Sequence, residues 1–286
     1  MELKTLLDQP SKLPTIPKVA QQLIESFSSE EISVNEIARQ MSADPALSAK
    51  VLRLANSAYF HVSRSIGTVD DALRMLGFVM VRNLVLGNGM MAAFRNTPGI
   101  DLKQFWLYNL YTASAARWLA AQARANADLV FTVGLMHSVG QLQMHAAMAK
   151  EVAPLDDQMS ILDAARAELE KNAFGFHYGD VAAELALVWH LPGPIVLALR
   201  DVPQPLASQE FSEAAAWVHM GAWRARCEVL GLSAAQIVTS YPAQVGKRLE
   251  LSPAWMAELS GHYKGPASAV MPPLKELIAG LEAMLD

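Results

Sequence analysis

The sequence has a single cysteine, Cys227, among its 286 residues. One cysteine forms neither an intramolecular disulfide nor a cysteine-based zinc site, so we expect the fold to have neither. The N-terminus, Met-Glu-Leu-Lys, lacks the basic region and apolar core of a secretory signal, which indicates a reducing, cytoplasmic location. Glycine and proline number 16 and 15, ordinary usage that excludes a collagen-like or low-complexity chain.

Charge is also scarce, since 18% of the residues are charged and the formal net charge is −5. Without a basic surplus, no overall field attracts the protein to nucleic acid or to an acidic membrane surface. The longest stretch without Asp, Glu, Lys or Arg runs from residue 129 to 149, long enough to span a bilayer. Its glutamines and histidines would be costly to desolvate in lipid, so we expect a buried helix and no membrane span.

Hydrophobic residues make up 52% of the chain and recur at helical spacing, while alternating strand patterns are hard to find. The sequence therefore predicts an all-α protein of about a dozen helices. Predicted helix starts are Pro17, Ser33, Asp44, Thr68, Asp101, Ser160, Ser233 and Ser252. Predicted core residues are Val19, Leu23, Ile24, Ile37, Leu47, Val51, Leu54, Leu73, Leu76, Leu84, Trp106, Leu119, Leu135, Leu142, Leu185 and Trp189.

Residues 33–55 could form a helix-turn-helix, the pattern of many DNA-reading proteins. The second predicted helix offers only Lys50 and Arg53 as basic side chains, in a chain that is acidic overall. Because phosphate contacts dominate DNA affinity, we expect no nucleic-acid partner. A helix-turn-helix-like DNA-binding regulator is kept as the second alternative for function.

His137, Gln141 and His145 follow one another at four-residue spacing, which predicts a polar stripe along one helix. Eight residues of helix span about 12 Å, too far for the two histidines to bind one metal ion. His177 and His190 are likewise poorly spaced for joint coordination from one helix. No carboxylate stands next to these histidines in the sequence, which favours hydrogen-bonded, partly buried imidazoles over a metal site.

Several motifs of the chain form one recognisable set. They are Leu13-Pro14-Thr15-Ile16-Pro17, the long block from Asp44-Pro45 to Asn56-Ser57-Ala58-Tyr59, Asp71-Ala72-Leu73-Arg74-Met75-Leu76-Gly77, Phe105-Trp106, and segments 134–140, 174–177 and 189–192. Together they strongly resemble the HDOD family, the HD-related output domain of bacterial signalling proteins. The resemblance covers residues 13–205. It implies an N-terminal helical group at 13–98 and a degenerate HD-like helical part at 99–205, which leaves a helical C-terminal extension at 206–286.

The HDOD family is related to the HD phosphohydrolases, in which a His-Asp doublet binds a divalent metal that activates water. The doublet position here resembles His137-Ser138, and an earlier superfamily histidine aligns with Tyr108. Where relatives often have two adjacent histidines, this chain has Arg200-Asp201. A neutral serine hydroxyl does not replace a carboxylate that holds a divalent cation. The resemblance therefore implies a degenerate former metal site of His137, Ser138, Tyr108 and His177, with no catalytic residue, no metal and no cofactor.

The resemblance implies a regulatory signal-transduction module that is not an enzyme and that contacts a signalling protein the sequence does not identify. A small ligand in the former active-site cleft is left open. The first alternative is a metal-dependent phosphohydrolase with a rearranged site. Asp44-Pro45 and Asn56-Ser57 are interpreted as helix-cap and turn residues, with a regulatory surface as the alternative.

The C-terminal extension carries Trp217 and Trp223, six residues apart on one predicted helix and so on different sides of it. One flat neighbour cannot bury both. We expect the last predicted helix, Leu274 to Leu285, to fold back so that Leu274, Leu277, Ile278 and Leu281 cover the second tryptophan. The alternative is that the uncovered tryptophan forms a surface for a partner or a second copy.

Overall fold

The computed structural model describes residues 3, 6, 38, 39, 41, 42, 44–57, 65–260 and 270–284. All regular elements within these residues are helical, so the predicted all-α fold is confirmed. The predicted core residues Val19, Leu23, Ile24 and Ile37, and the predicted helix starts at Pro17 and Ser33, lie outside the described residues.

The helices follow one another along the described chain with short connections. In order they are α1 (Pro45–Ala55), α2 (Val69–Leu76), α3 (Phe78–Ala93), α4 (Leu102–Gln122), α5 (Ala127–Met136), α6 (Val139–Ala147), α7 (Ala149–Asp156), α8 (Arg166–Phe174), α9 (Tyr178–Val188), α10 (Gly193–Asp201), α11 (Glu213–Val229), α12 (Ala234–Ser240), α13 (Ala243–Arg248), α14 (Ala257–Ser260) and α15 (Leu274–Leu277). Two 3-10 helices lie at Pro253–Trp255 and Leu281–Met284.

Polar side chains cap several helices where the sequence predicts their starts. Asp44, Thr68, Asp101 and Ser233 each accept a backbone N–H from three residues downstream. The predicted start at Ser160 is wrong. Asp163 accepts the backbone N–H of Ala165 at 2.8 Å, two residues on, which forms a turn, and α8 begins only at Arg166.

Helix α4 forms the centre of the core, and α11 and α5 pack against it. Glycines allow these helices to approach closely. A Cβ atom on Gly221 of α11 would lie 2.6 Å from the carbonyl oxygen of Thr112, and one on Gly134 of α5 would lie 2.7 Å from the Cα of Ala113. The helices therefore meet almost backbone to backbone, which fixes the position of residues 134–138 beside α4.

A second close contact joins α6 to the first turn of α9. A Cβ atom on Gly140 would collide with the carbonyl oxygen of Tyr178 and lie 2.9 Å from the backbone nitrogen of Ala182. No larger residue fits unless the two helices separate. Gly140 thereby sets the distance between the segment that carries His137 and the helix that begins after His177.

Gly140→Ala is expected to lower the free energy of unfolding by about 2–3 kcal/mol, because the added methyl group must displace backbone. Gly193→Ala is the matched control. Gly193 opens α10 with nothing within 4 Å of an added Cβ, so the expected change is under about 1 kcal/mol and is stabilising. Urea unfolding measures both variants, and equal midpoints would contradict the close contact at α9.

Residues 129–149 are divided between α5 and α6, with Ala149 opening α7, and do not form the single helix that the sequence predicts. The break lies at His137-Ser138, where Ser138 leaves helical angles with ψ 8°. The predicted stripe of His137, Gln141 and His145 on one helix is therefore wrong. Among the described helices, no single one is both long enough and apolar enough to cross a membrane, while α2 and α3, bent by 111°, qualify together by length and composition alone.

The two tryptophans of α11 are both buried, at 1% and 3% exposed. Trp223 contacts the rings of Tyr241 and Trp255, with centroids 5.2 and 6.0 Å away. Its indole N–H donates to Ser240 Oγ at 3.0 Å. Segment 240–255 therefore covers Trp223, and coverage of a tryptophan by the last helix stays a prediction.

The last described segment does fold back onto the core. Helix α15 packs against α4, and the 3-10 helix Leu281–Met284 packs against α1 and α3. Leu274, Ile278 and Leu281 are buried, while Leu277 is partly buried. Another correction concerns Trp189, a predicted core residue that is only half-buried because it caps the exposed end of α9.

Candidate functional site

The break between α5 and α6 places His137 against Tyr108 of α4. His137 is fully buried, and its Nδ1 lies 2.7 Å from the carbonyl oxygen of Gly134. A carbonyl oxygen only accepts hydrogen bonds, so Nδ1 carries the proton. Nε2 is then free to accept from the Tyr108 hydroxyl, 3.3 Å away.

The pKa of His137 is lowered to about 4, mainly by burial and to a smaller extent by the charges of Arg226 and His219, while the hydrogen bond to Gly134 opposes the shift. The imidazole is therefore neutral near pH 7. This protonation state agrees with the hydrogen bonds, because only a neutral ring has one donor nitrogen and one acceptor nitrogen.

Arg226 of α11 completes this arrangement. Its Nη1 donates to the Tyr108 hydroxyl at 3.2 Å, across 118 positions of sequence. A continuous chain of hydrogen bonds thus runs from Arg226 through Tyr108 and His137 to Gly134. We call Tyr108, His137, Tyr178, His219 and Arg226 the His137 cluster, because Arg226 acts electrostatically on the two histidines and on Tyr178.

Ser138 points to a different partner. Its hydroxyl donates to Asn109 Oδ1 at 2.8 Å, and Asn109 Nδ2 donates to the carbonyl oxygen of Phe105 at 2.8 Å. Both residues are buried. Ser138 therefore ties the α5–α6 break to α4.

His177 caps the start of α9. Its Nδ1 accepts the backbone N–H groups of Gly179 and Asp180 at 3.1 and 3.3 Å, and Asp180 Oδ2 accepts the backbone N–H of His177 at 3.0 Å. Burial lowers the pKa of His177, while Asp180 and Glu170 oppose that shift. In the described part of the chain no hydrogen bond joins His177 to His137. Tyr178, which follows His177, lies near Tyr108. A common role for Tyr108, His137, Ser138 and His177 stays a prediction.

The family motif around α1 has hydrogen bonds typical of structural residues. Asp44 caps α1, which begins at Pro45. Asn56 holds the next segment, since its Nδ2 donates to the carbonyl oxygen of Ile66 at 2.8 Å and its Oδ1 accepts the backbone N–H of Ile66 at 2.7 Å. The Ser57 backbone N–H donates to the Leu54 carbonyl at 3.0 Å. A regulatory role for these residues stays a prediction.

A divalent metal, which the relation to HD phosphohydrolases implies, does not fit the His137 cluster. Both nitrogens of His137 already have partners, its neighbours Tyr108 and Ser138 are neutral, and Arg226 brings a positive charge. Within the described residues, no three His, Cys, Asp or Glu side chains lie close enough to share an ion. Hard cations need anionic oxygen ligands, which this cluster does not supply.

Three cavities in the described part of the chain have volumes of about 400, 380 and 170 Å³. None of these three cavities is lined by Tyr108, His137, Ser138 or His177. The largest is lined in part by Arg200 and Asp201. A small ligand at the former metal position stays a prediction.

Beside the His137 cluster lies a buried ion network that sequence reasoning missed. Arg166 and Glu170 of α8 are both fully buried, and Nε of the arginine donates to Glu170 Oε1 at 2.8 Å. Arg166 Nη2 also donates to Asp156 Oδ1 at 2.8 Å, and Nη1 donates to the Met159 carbonyl at 2.7 Å. A charged pair at (i, i+4) spacing was the only sequence signal, and such pairs are usually exposed.

This network joins four helices. Gln141 of α6 donates to Glu170 Oε1 at 2.6 Å, and the backbone N–H of Tyr178 at the start of α9 donates to Glu170 Oε2 at 2.8 Å. On α7, Asp156 Oδ2 lies 3.0 Å from Nε2 of His145. Carboxylates therefore do stand beside His145 and His177 in space, which corrects the expectation drawn from the sequence.

Three residues of the His137 cluster were also absent from the predicted site: Tyr178, His219 and Arg226. His219 and Arg226 are seven residues apart and thus lie on one face of α11. The sequence does show an imidazole and a guanidinium on a helix face that is otherwise rich in alanine and tryptophan. It does not show that Tyr108 lies opposite this face.

Comparison with known proteins places the chain among related folds. A solved structure from Shewanella amazonensis SB2B, described as a "Putative phosphohydrolase", is 26% identical, with a TM-score of 0.72 over 98% of this chain and 96% of that one. An HDOD domain protein of unknown function from Geobacter sulfurreducens is 21% identical, with a TM-score of 0.71 over 87% of this chain and 88% of that one. The second likeness concerns the fold alone.

A relative in sequence, an uncharacterized protein from Treponema pallidum (strain Nichols), is 22% identical over 198 residues. These cover 68% of this chain, which spans 38% of the length of that relative. The family model for the HDOD domain matches residues 13–205. The resemblance found in the sequence motifs is therefore confirmed, and the chain belongs to the HDOD domain family.

Proposed function

We propose that this protein is a non-catalytic regulatory module of signal transduction, which works in the cytoplasm by contact with a partner protein. The observation that supports this proposal is the hydrogen-bond chain through His137. A neutral imidazole with both nitrogens engaged, beside a phenol and an arginine, is poorly suited to hold a metal ion and activate water. The fold offers a stable scaffold, and its function lies in what binds to it.

Metal analysis tests the non-catalytic part. We expect the purified protein to retain no stoichiometric metal after dialysis, and to hydrolyse no generic phosphodiester when Mg²⁺ or Mn²⁺ is added. The reason is that the described residues at the His137 cluster provide no anionic ligand. Elemental analysis and a chromogenic phosphodiester assay are the measurements.

The competing candidate is a metal-dependent phosphohydrolase, which the description of the Shewanella structure favours. A metal that survives dialysis in the wild type, disappears in His137→Ala and persists in His190→Asn would support it and overturn the proposal. His190 is an exposed histidine with φ 57°, a conformation that asparagine tolerates, so His190→Asn controls for the loss of a histidine elsewhere.

A DNA-binding role has little support from the described part of residues 33–55. Lys50, one of two basic side chains on α1, donates from Nζ to Asn88 Oδ1 of α3 at 2.6 Å. A lysine held within the protein is less able to contact phosphate. The net charge of −5 also opposes binding to DNA.

Partner contact is tested by quantitative affinity purification from the native cell, followed by reconstitution from purified components. We expect one signalling protein to co-elute at a fixed ratio and to rebind after purification. Co-elution must persist in His137→Asn, because the contact does not depend on hydrolysis. If His137→Asn no longer retained the partner, and the wild type hydrolysed a phosphodiester at a measurable rate, the proposal would be overturned.

A further inference from the structure

Arg226 is a partly buried cation for which the described residues supply no carboxylate. Its one hydrogen bond among them goes to the neutral hydroxyl of Tyr108, at 3.2 Å. The other arginines of this region differ, since Arg166 pairs with Glu170 and Arg224 pairs with Glu228. A guanidinium has five N–H donors, and withdrawing its charge from water without a counterion is costly. The site therefore has unused donors and an uncompensated positive charge.

The groups around Arg226 are neutral and polar. His219 lies two turns earlier on the same face of α11, and its Nδ1 lies 2.9 Å from the Val202 carbonyl, which leaves Nε2 without a protein partner among the described residues. Tyr178, at the start of α9, is close enough to Arg226 for the guanidinium to lower its pKa against the effect of burial. Three side chains from two helices thus converge.

Glu170 does not compensate the charge of Arg226. Glu170 acts electrostatically on Tyr178, but both of its oxygens are already bonded. One accepts from Arg166 and Gln141, and the other accepts the backbone N–H of Tyr178. Glu170 therefore belongs to the neighbouring network and leaves the charge of Arg226 available.

Tyr178, His219 and Arg226 are each partly exposed, whereas Tyr108 and His137 are buried. Tyr108 fixes one nitrogen of the guanidinium, so the remaining N–H groups are oriented before any ligand arrives. A planar, fixed guanidinium matches oxyanions, with which arginine forms two parallel hydrogen bonds.

We propose that Arg226, His219 and Tyr178 form a binding site for a phosphate-type oxyanion, either free or as the phosphate group of a small metabolite. The guanidinium donates two hydrogen bonds to the anion, the Tyr178 hydroxyl donates a third, and a phosphate hydroxyl donates to the unprotonated Nε2 of His219. The inference rests on the proposed function and deepens it, because it gives the non-catalytic module a ligand at the His137 cluster. The ligand occupies the position from which a divalent metal is excluded by charge.

Isothermal titration calorimetry with inorganic phosphate and with adenosine monophosphate, at constant ionic strength set by chloride, tests the site. We expect saturable binding to the wild type, weakened at least about tenfold in Arg226→Gln, which loses the charged donors. Arg224→Gln is the matched control. It lies on the same helix and pairs with Glu228 at 3.3 Å, so its binding should equal that of the wild type. Tighter binding of the nucleotide indicates a phosphorylated metabolite, and equal binding indicates free phosphate.

A second readout follows His219 by NMR. A bound anion stabilises the imidazolium, so phosphate should raise the pKa of His219 from about 4 in the wild type and not in Arg226→Gln. If Arg226→Gln fails to fold, Arg226→Lys, which keeps the charge and loses the planar fork, replaces it and should bind more weakly than the wild type.

The inference is wrong if neither inorganic phosphate nor adenosine monophosphate binds the wild type at millimolar concentrations. It is also wrong if Arg226→Gln binds the two probes as tightly as Arg224→Gln does. Co-elution of the partner protein is measured separately. Persistence of that contact with no anion binding would leave the proposed function standing and remove only the ligand. Hydrolysis of the bound nucleotide would instead overturn the proposed function.

Discussion

Deletion of residues 272–286 is expected to lower the free energy of unfolding by about 3–5 kcal/mol and to cause aggregation. Leu274, Ile278 and Leu281 are at most 2% exposed, and each such side chain contributes about 1.5–3 kcal/mol, partly offset by the freedom that the ordered segment loses. Deletion also uncovers apolar surface on α1, α3 and α4. Thermal unfolding and size-exclusion chromatography measure both effects.

Point variants within α15 and the residue that follows it separate packing from the length of the chain. Ile278→Ala should cost about 2–4 kcal/mol because it leaves a cavity. Glu276→Ala, at an exposed position two residues earlier, should change stability by less than about 0.5 kcal/mol. If the truncated protein stayed monomeric with an unchanged melting temperature, the segment would be a detachable interaction arm and its docking on the core would have no energetic role.

Arg166→Met is expected to cost about 3–5 kcal/mol, because it leaves the Glu170 carboxylate buried without its counterion. Arg166 also holds Asp156 and the Met159 carbonyl, so the change loosens α7 from α8. The loss should be visible as a lower urea midpoint and as faster amide exchange in α9, whose first N–H is bonded to Glu170.

The chain contains a matched control for this variant. Arg224 and Glu228 have the same (i, i+4) spacing, but their side chains are 13% and 33% exposed, against 0% for both partners of the buried pair. Arg224→Met should therefore cost less than about 1 kcal/mol. The double variant Arg166→Met with Glu170→Gln should recover part of the loss, because no buried charge is left unpaired. Equal losses in the two single variants would show that burial does not decide the strength of the pair.

Local features of this fold could be predicted from the sequence. Helix caps at Asp44, Thr68 and Asp101 depend on side chains and N–H groups three residues apart, so the sequence determines them. The spacing of leucines likewise identified buried positions such as Leu54 and Leu84. The motif from Asp44 to Ser57 is specific enough to indicate the HDOD family from sequence alone.

Features that depend on distant residues could not be predicted. The helix break at His137 is held by the contact of Ser138 with Asn109, 29 positions earlier. Similarly, Arg226 donates to Tyr108 across 118 positions, and the sequence around either residue does not predict the other as its partner. Burial of Arg166 was equally invisible, because an Arg-Glu pair on one helix has the same spacing on the surface and in the core.

The docking of residues 281–284 on α1 and α3 has a consequence during synthesis. Ala55 and Leu281 are 226 positions apart. At ribosomal rates the covering segment is therefore synthesised roughly 10–45 s after α1. Contacts at such separation also slow folding itself, since a long loop must close before they form. Through that interval the apolar sides of α1 and α3 are open to chaperones and to other nascent chains. Translation speed and chaperone supply should therefore control the yield of native protein more strongly than does the stability of the finished fold.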